Sequence, residues 1–177
     1  RDSSSDGSVT LRKPVNSGQE ERQTLMSEPT AHVDTFIRDN MPGRELWPDM
    51  DYSVLPELSA YPTRFNVAEE LVDKQVEAGY AETPALIFGE VTWTYRDLME
   101  RANRIANVLV EDYGFVPGER VLIRSGNHPM LIASWLAVLK AGGVAITTMP
   151  VLRERELVYM IGNCLLYTSP SPRDATL

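Results

Sequence analysis

The sequence predicts an α/β fold that contains one β-hairpin and one parallel βαβ unit. Two apolar strands, residues 121–123 and 144–146, flank an apolar helical stretch that starts at Pro129 and stops before Gly142. Strands on either side of a crossover helix pair in parallel, because only a long connection returns the chain in the same direction. Earlier in the chain, two short β-rich runs around Gly89-Glu90 predict the hairpin.

Composition excludes several classes of protein. The chain has 177 residues, a formal net charge of −8 and a single cysteine. One cysteine cannot build a disulfide framework or a cysteine-rich zinc site. The acidic balance disfavours binding to nucleic acid or a membrane surface, since both attract clustered Lys and Arg. No apolar run reaches the roughly 18–20 residues of a membrane-spanning helix. We therefore expect a cytoplasmic protein that binds neither nucleic acid nor a membrane. Its oligomeric state is not set by the sequence.

The chain divides into four segments. Residues 1–25 hold four basic and four acidic residues and few large apolar ones, so we expect this segment to be disordered. The amino-acid composition changes at Met26. We interpret Met26 as the natural start of the protein and residues 1–25 as upstream sequence. Residues 26–65 form an irregular lead-in, residues 66–163 carry regular structure, and residues 164–177 form a tail of different texture.

The lead-in is predicted to be a strap without a long helix. Five prolines interrupt it, and each removes a backbone donor. One short helix is predicted over residues 33–40, with Phe36 and Ile37 facing inward. The expected anchors against the domain surface are Trp47, Tyr52, Leu55, Leu58 and Tyr61. We favour this structural interpretation over a binding motif.

Two helices flank the predicted hairpin. Asn66 followed by Glu69 is typical of a helix start, and Gly79 of a helix end. The expected buried stripe of this first helix is Ala68, Leu71, Val72 and Val76. Thr94 followed by Asp97 starts the second helix, which ends at Gly114. Its expected buried stripe is Leu98, Ala102, Ile105, Ala106 and Leu109.

The βαβ unit has further predicted details. Residues 121–123 are continuously apolar, as in a strand buried on both faces. Pro129 suits the first position of the crossover helix, and Lys140 lies in its last turn, where the helix dipole favours a cation. Apolar residues surround this helix, which predicts burial on most sides. A final helix is predicted over residues 153–161.

Catalytic signals are weak. A dinucleotide-binding turn needs closely spaced glycines, whereas residues 124–129 contain one glycine and a proline. His32 and His128 lie far apart and lack ligand spacing, so a metal site is not predicted. Cys164 has no neighbouring base to activate it. We interpret His128 as a helix-start residue. The loop acids Glu111, Asp112 and Glu119 are interpreted as solvated charges.

Several runs resemble one enzyme family. Residues 92–98 (TWTYRDL) with 102–106 (ANRIA) resemble the first core motif of AMP-forming acyl-CoA synthetases and adenylation domains. Residues 117–123 (PGERVLI) with 135–143 (WLAVLKAGG) and Pro150 resemble the second. The lead-in is similar to the start of benzoate- and 2-aminobenzoate-type CoA ligases, at residues 30–36, 46–48 and 61–62. The resemblance covers about residues 30–163.

This resemblance implies a fold and an activity. The fold is the first part of the N-terminal domain of the adenylate-forming enzymes. The parent protein would be a ligase that uses ATP, Mg²⁺ and CoA to convert a small carboxylic acid, of aromatic type, through an acyl-adenylate into a CoA thioester. The family's phosphate loop, Mg²⁺ carboxylates and catalytic lysine belong to later motifs. The resemblance therefore assigns no catalytic, cofactor-binding or metal-binding residue to these 177 residues, and it implies an inert fragment. The alternative is a free-standing α/β binding or interaction module without catalysis.

The tail departs from the family pattern. Residues 167–169 (YTS) match the usual start of the phosphate loop, but Pro170 and Pro172 stand where glycines are needed. Each proline removes an N–H that could bind phosphate. We interpret residues 164–177 as a foreign tail, similar to adaptor-derived read-through.

Both terminal segments are predicted to lack stable packing, because neither has a periodic apolar face. We expect the amides of residues 1–25 and 165–177 to exchange with solvent without protection. Hydrogen exchange followed by mass spectrometry measures this, with residues 66–163 as the internal comparison. Strong protection in either terminal segment would contradict the interpretation of these segments as foreign sequence.

Overall fold

The computed structural model describes residues 31–49, 51, 54–62 and 64–163. The expectations for residues 1–25 and 164–177, and for Tyr52, lie outside this range. The described strands form two separate two-stranded sheets, one antiparallel and one parallel. Helices pack against both, so the predicted α/β class with one hairpin and one βαβ unit is confirmed.

The predicted helix in the lead-in is shorter than expected. Helix α1 spans Phe36–Asp39, because the Asp34 carboxylate accepts the N–H of Phe36 and fixes where the helix begins. Phe36 is half-buried, as predicted, and its ring lies 4.7 Å from the guanidinium carbon of Arg120. The inward prediction for Ile37 is wrong, since its side chain is exposed.

The rest of the lead-in is more exposed than predicted. A 3₁₀ turn covers Arg44–Leu46, and helix α2 spans Pro56–Ser59. Leu55 and Tyr61 are exposed, so their assignment as anchors is wrong. Tyr61 stacks on Phe65 of the same segment, with 5.6 Å between the ring centroids. Trp47 is half-buried, and its indole N–H donates to the carbonyl of Pro42 at 2.7 Å.

Helix α3 covers residues 67–80 and contains two wide π-type segments, Glu69–Asp73 and Val76–Tyr80. Asn66 caps its start, since the Asn66 Oδ1 accepts the N–H of Ala68 at 3.0 Å. Ala68 and Val72 are buried as predicted, but Leu71 is 51% exposed. A π-type turn contains more residues than the 3.6 of an α-helical turn. The side chain of Leu71 is therefore rotated away from the predicted buried stripe of α3. Gly79, with φ 94°, interrupts the helix near its predicted end.

The hairpin and the second helix follow the prediction. Strands β1 (Pro84–Phe88) and β2 (Val91–Thr94) are antiparallel, and Gly89 has the positive φ that the turn requires. Helix α4 (Tyr95–Asn107) begins with the predicted capping box and is extended by a π-type turn at Val108–Asp112. Its predicted stripe is buried at Leu98, Ala102 and Ala106 and half-buried at Ile105 and Leu109.

The βαβ unit consists of β3 (Arg120–Arg124), α5 (Pro129–Lys140) and β4 (Val144–Thr148). The strands are parallel, with Arg120 opposite Val144 and Arg124 opposite Thr148. Helix α5 packs against α4, and its Ala133 and Ala137 are fully buried.

Burial in this unit is lower than predicted. Strand β3 is half-buried rather than buried on both faces, and Met130 and Ile132 on α5 are exposed. Helix α6 (Glu154–Asn163) follows, beginning and ending slightly later than predicted, and has no buried residue.

Two turns meet where α5 ends and β3 begins. Gly142, with φ 77°, turns the chain, and its carbonyl accepts the N–H of Gly118 at 2.9 Å. The Gly143 N–H donates to the carbonyl of Val138 at 2.8 Å. A Cβ atom at Gly143 would overlap the ring of Phe115. We call Pro117, Gly118, Gly142 and Gly143 the glycine junction.

Lys140 joins three helices beside this junction. Its Nζ lies 2.6 Å from Asp73 Oδ2 on α3 and donates to Asn103 Oδ1 on α4. The Lys140 and Asp73 side chains are only 20% and 18% exposed. Asn66 Nδ2 donates to the carbonyl of Leu139 at 2.9 Å, which satisfies one terminal carbonyl of α5. The predicted position of Lys140 in the last turn is confirmed, but its partners were not predicted.

Replacement of Gly143 by alanine should destabilise the chain by about 1–3 kcal/mol, because the added methyl group overlaps the Phe115 ring. Chemical denaturation measures the change in unfolding free energy. Gly126→Ala is the matched control, since a Cβ at Gly126 meets no atom within 4 Å. Equal stabilities for the two variants would contradict the proposed close packing at the junction.

Replacement of Lys140 by methionine should cost about 1–3 kcal/mol, because it removes the cation that neutralises the half-buried Asp73. Lys74→Met is the control. Lys74 pairs with Glu70 at 2.5 Å but is 54% exposed, so its loss should destabilise the chain far less than the loss of Lys140. Thermal or urea unfolding of both variants tests the difference. A Lys140→Met variant as stable as the control would show that the three-helix contact contributes nothing.

Candidate functional site

The two sequence motifs form a scaffold. Trp93 is nearly buried, and the guanidinium carbon of Arg101 lies 4.2 Å from its ring centroid. Asp97 accepts hydrogen bonds from Arg101 and from the Thr94 N–H. These two bonds, that of Arg101 first, hold the pKa of the Asp97 carboxyl below its usual value. The first motif therefore fixes the start of α4 and the hairpin beside it.

The second motif has the same character. Its residues 117–123 and 135–143 supply the glycine junction, most of strand β3, and the second half of α5 with Lys140. The polar contacts described for these residues are with the backbone, with other helices, as at Lys140, or with the lead-in, as at Arg120. Both motifs thus position secondary structure and leave their polar groups committed to the fold.

The carboxyl ends of β3 and β4 form the candidate site. Parallel α/β sheets bind ligands beyond the carboxyl ends of their strands, where loops from adjacent strands converge. Here those segments are residues 124–128, from the last residue of β3 onward, and residues 149–153 after β4. We call these two segments the carboxyl edge. It contains Arg124 at the end of β3, His128 before α5 and Arg153 before α6, and it adjoins Thr148, the last residue of β4.

Arg124 ties the two loops of the carboxyl edge together. Its Nη2 donates to the carbonyl of Pro150 at 2.5 Å and to that of Leu152 at 3.0 Å. The arginine is the last residue of β3, and both acceptors follow β4. The guanidinium therefore sets the path of the chain from β4 into α6.

The start of α5 does not offer a phosphate cradle. Pro129 has no N–H, the Met130 N–H donates to His128 Nδ1 at 3.1 Å, and the Leu131 N–H donates to the His128 carbonyl at 2.9 Å. A phosphate bound at a helix start needs such donors to be available. The local geometry thus agrees with the sequence argument against a dinucleotide-binding turn.

His128 is the helix-start residue that was predicted. It caps α5 through Nδ1, and its ring lies edge-on to Phe88 at a centroid distance of 5.5 Å. The cap gives the Met130 N–H an acceptor, and the ring contact with Phe88 links the start of α5 to the hairpin. His32 lies in the lead-in next to Gly118. The two histidines thus belong to different parts of the fold.

The remaining candidates are structural or outside the described range. Glu111 and Asp112 are exposed, as predicted. The prediction for Glu119 is wrong: it is half-buried, and its carboxylate accepts the Val116 N–H at 2.8 Å. Cys164 lies outside the described residues. Across the described ranges, no three His, Cys, Asp or Glu side chains are grouped to hold a metal ion, and no helix there is long and apolar enough to cross a membrane.

Comparison with known proteins connects this scaffold to one family. The model of the family described as "AMP-binding enzyme" matches residues 72–166, which is more than half of the chain. The match begins in α3 and includes the hairpin, α4, the βαβ unit and α6. The described motifs all lie within it, whereas the lead-in precedes it.

Three similar proteins illustrate the relationship. A 3-hydroxybenzoate–CoA/4-hydroxybenzoate–CoA ligase of Thauera aromatica is 33% identical over 96 residues, which cover 54% of this chain and 18% of that ligase. A nonribosomal peptide synthetase of Gibberella zeae is 31% identical over 116 residues, covering 64% of this chain and 2% of the synthetase. The crystal structure of a benzoate CoA ligase from Burkholderia xenovorans LB400 shares 30% identity, with a TM-score of 0.52, covering 58% of this chain and 20% of that one.

These similarities identify the fold of the chain and the family to which it belongs. The chain spans less than a fifth of the length of the Thauera ligase, so it corresponds to a part of that enzyme. The hairpin, the parallel strand pair and their helices are the first part of the N-terminal domain of the adenylate-forming fold. The chain belongs to the family of AMP-binding enzymes, among adenylate-forming acid–CoA ligases and peptide synthetases.

Proposed function

We propose that the complete protein is an ATP-dependent ligase that joins an aromatic carboxylic acid to CoA. The observation that carries the proposal is the 33% identity to a hydroxybenzoate–CoA ligase over 96 residues. The likeness to a benzoate CoA ligase structure, at 30% identity, supports the same substrate class. The lead-in, which is similar to benzoate-type ligases in sequence, supports it independently.

The proposed reaction has two steps. A carboxylate oxygen of the acid attacks the α-phosphorus of ATP, and pyrophosphate leaves. The CoA thiolate then attacks the acyl carbonyl, and AMP leaves with the electron pair of the broken C–O bond. Mg²⁺ would neutralise phosphate charge in the first step. We assign no step of this reaction to the described residues, because the resemblance places the family's phosphate loop and Mg²⁺ carboxylates in later motifs.

These residues serve the reaction as a scaffold. Lys140 and the glycine junction set how α3, α4, α5 and β3 meet, and Arg124 sets the exit from β4. The carboxyl edge is then the place where later parts of the domain would meet the sheet. On this basis the 177-residue chain is inert by itself, and catalysis requires the complete protein.

The second candidate is an α/β interaction module without catalysis. One observation favours it: the start of α5, the described helix terminus that faces the carboxyl edge, has its first N–H groups capped or missing. A module of this kind would give no turnover in any length of the protein. The two candidates therefore differ in the activity of the complete protein.

An acid-dependent pyrophosphate-release assay distinguishes these candidates. We expect the complete protein to release pyrophosphate with benzoate or 2-aminobenzoate, ATP and Mg²⁺, and to form the CoA thioester once CoA is added. The 177-residue chain should give only the background rate. Turnover by the short chain would refute its role as an inert scaffold, and a complete protein inactive with all acids would favour the interaction module.

Two controls separate substrate class from reaction type. Turnover with long-chain acids but not with benzoate or 2-aminobenzoate would refute the aromatic substrate and leave the reaction intact. Pyrophosphate release without thioester formation would leave adenylation intact and refute CoA as the acceptor, as expected for a relative of the peptide synthetases.

A further inference from the structure

The first described residues of the lead-in are bonded to the glycine junction. The N–H groups of Val33 and Asp34 both donate to the carbonyl of Pro117, at 2.8 and 3.0 Å. The Asp34 carbonyl lies so close to Gly118 that a Cβ atom there would overlap it. Gly118 also has a φ of 96°, which favours glycine. The turn is thus shaped to accept this part of the lead-in.

A charged contact completes the attachment. The Asp34 carboxylate forms an ion pair with Arg120, the first residue of β3, and also accepts the Phe36 N–H at 2.9 Å. The Arg120 side chain is 4% exposed and that of Asp34 is 19% exposed. The guanidinium carbon lies 4.7 Å from the centre of the Phe36 ring. Water is largely excluded from this pair.

The lead-in is attached again at its far end. Asn66 Nδ2 donates to the Leu139 carbonyl, which precedes the glycine junction by three residues. Between the two attachments, Leu46, Leu55 and Tyr61 are exposed. Within the described residues, the chain therefore runs from Val33 to Asn66 between two attachments near the same turn, and these three large apolar side chains are exposed between them.

We propose that residues 32–36 form a latch, closed by Asp34 and Arg120, that opens without unfolding of α4, α5, β3 and β4. The latch is held mostly by polar contacts, whereas the core of α4 and α5 is held by buried apolar side chains. Segments with few buried apolar contacts open at lower free energy than the core. This inference concerns the lead-in, and it stands whether or not the proposed activity is correct.

The latch has a defined electrostatic setting. Burial raises the pKa of Asp34, but the hydrogen bonds from the Phe36 N–H and the Arg120 guanidinium outweigh it, and the pKa lies below its usual value. The other charged groups that influence it are His32 in the same segment and Asp39 on α1. A carboxyl with a lowered pKa stabilises the closed form above its unfolded pKa of about 3.8 and loses this effect as pH falls through the folded value.

Replacement of Asp34 by asparagine tests the latch, because it removes the charge with little change in shape. In the 177-residue chain, we expect the amides at positions 33 and 34 of the variant to exchange about tenfold faster or more than in the unaltered chain. The Val144 amide, which donates to the Glu119 carbonyl, should keep its protection. Glu82→Gln is the matched control, since it removes the charge of an exposed ion pair, Glu82–Arg96, that lies outside residues 32–36.

Two results would overturn the proposal. Unchanged exchange at residues 33 and 34 would show that the ion pair does not hold the segment. Equal loss of protection at Val144 would show that the lead-in unfolds only together with the core. The unaltered chain provides a test without any substitution: at low denaturant, the amides of Val33 and Asp34 should exchange with little denaturant dependence, and the Val144 amide with the full dependence of global unfolding.

Discussion

The close approach of two turns at the glycine junction is the constraint on which the described fold depends. The bond from the Gly118 N–H to the Gly142 carbonyl joins the entry to β3 with the exit from α5. The next bond along, from the Val144 N–H to the Glu119 carbonyl, starts the pairing of the two strands. A Cβ atom at Gly118 or Gly143 would overlap neighbouring atoms, and the positive φ of Gly118 and Gly142 favours glycine at those two positions. The parallel register follows from this contact.

Other contacts are arranged around the junction. Lys140 connects the end of α5 to α3 and α4 through Asp73 and Asn103. Arg120 connects the start of β3 to the lead-in through Asp34. Each of these cations is largely shielded from water and has a partner more than thirty residues away in sequence. The motifs of an AMP-binding enzyme thus connect secondary-structure elements to one another in this part of the chain.

Local sequence signals predicted the positions of the helices and strands well. They predicted poorly which side chains are buried and which residues they contact. The Thr94–Asp97 capping box, the Gly89 turn and the run from Pro129 to Gly142 depend on neighbours in sequence, and the corresponding elements are present. Leu71 was misplaced because π-type turns change the helical period, which composition does not reveal. Ile37, Leu55 and Tyr61 were expected to be buried because they are large and apolar, but no described element covers them. The partners of Lys140 and Asp34 are set by tertiary packing, and so no local pattern contains them.

At the candidate site, too, local features could be predicted from the sequence and long-range contacts could not. The capping role of His128 could be predicted from its position before Pro129, whereas the bonds from Arg124 to the loop after β4 could not, since they join residues 26 and 28 positions apart.

Amide exchange at Gly118 measures the central constraint most directly, because this N–H donates across the glycine junction. Our account predicts that Gly118 and Gly143 exchange only through global unfolding, as slowly as the buried turns of α4 and α5. Faster exchange at Gly118 than at the centre of α4, under native conditions, would contradict it.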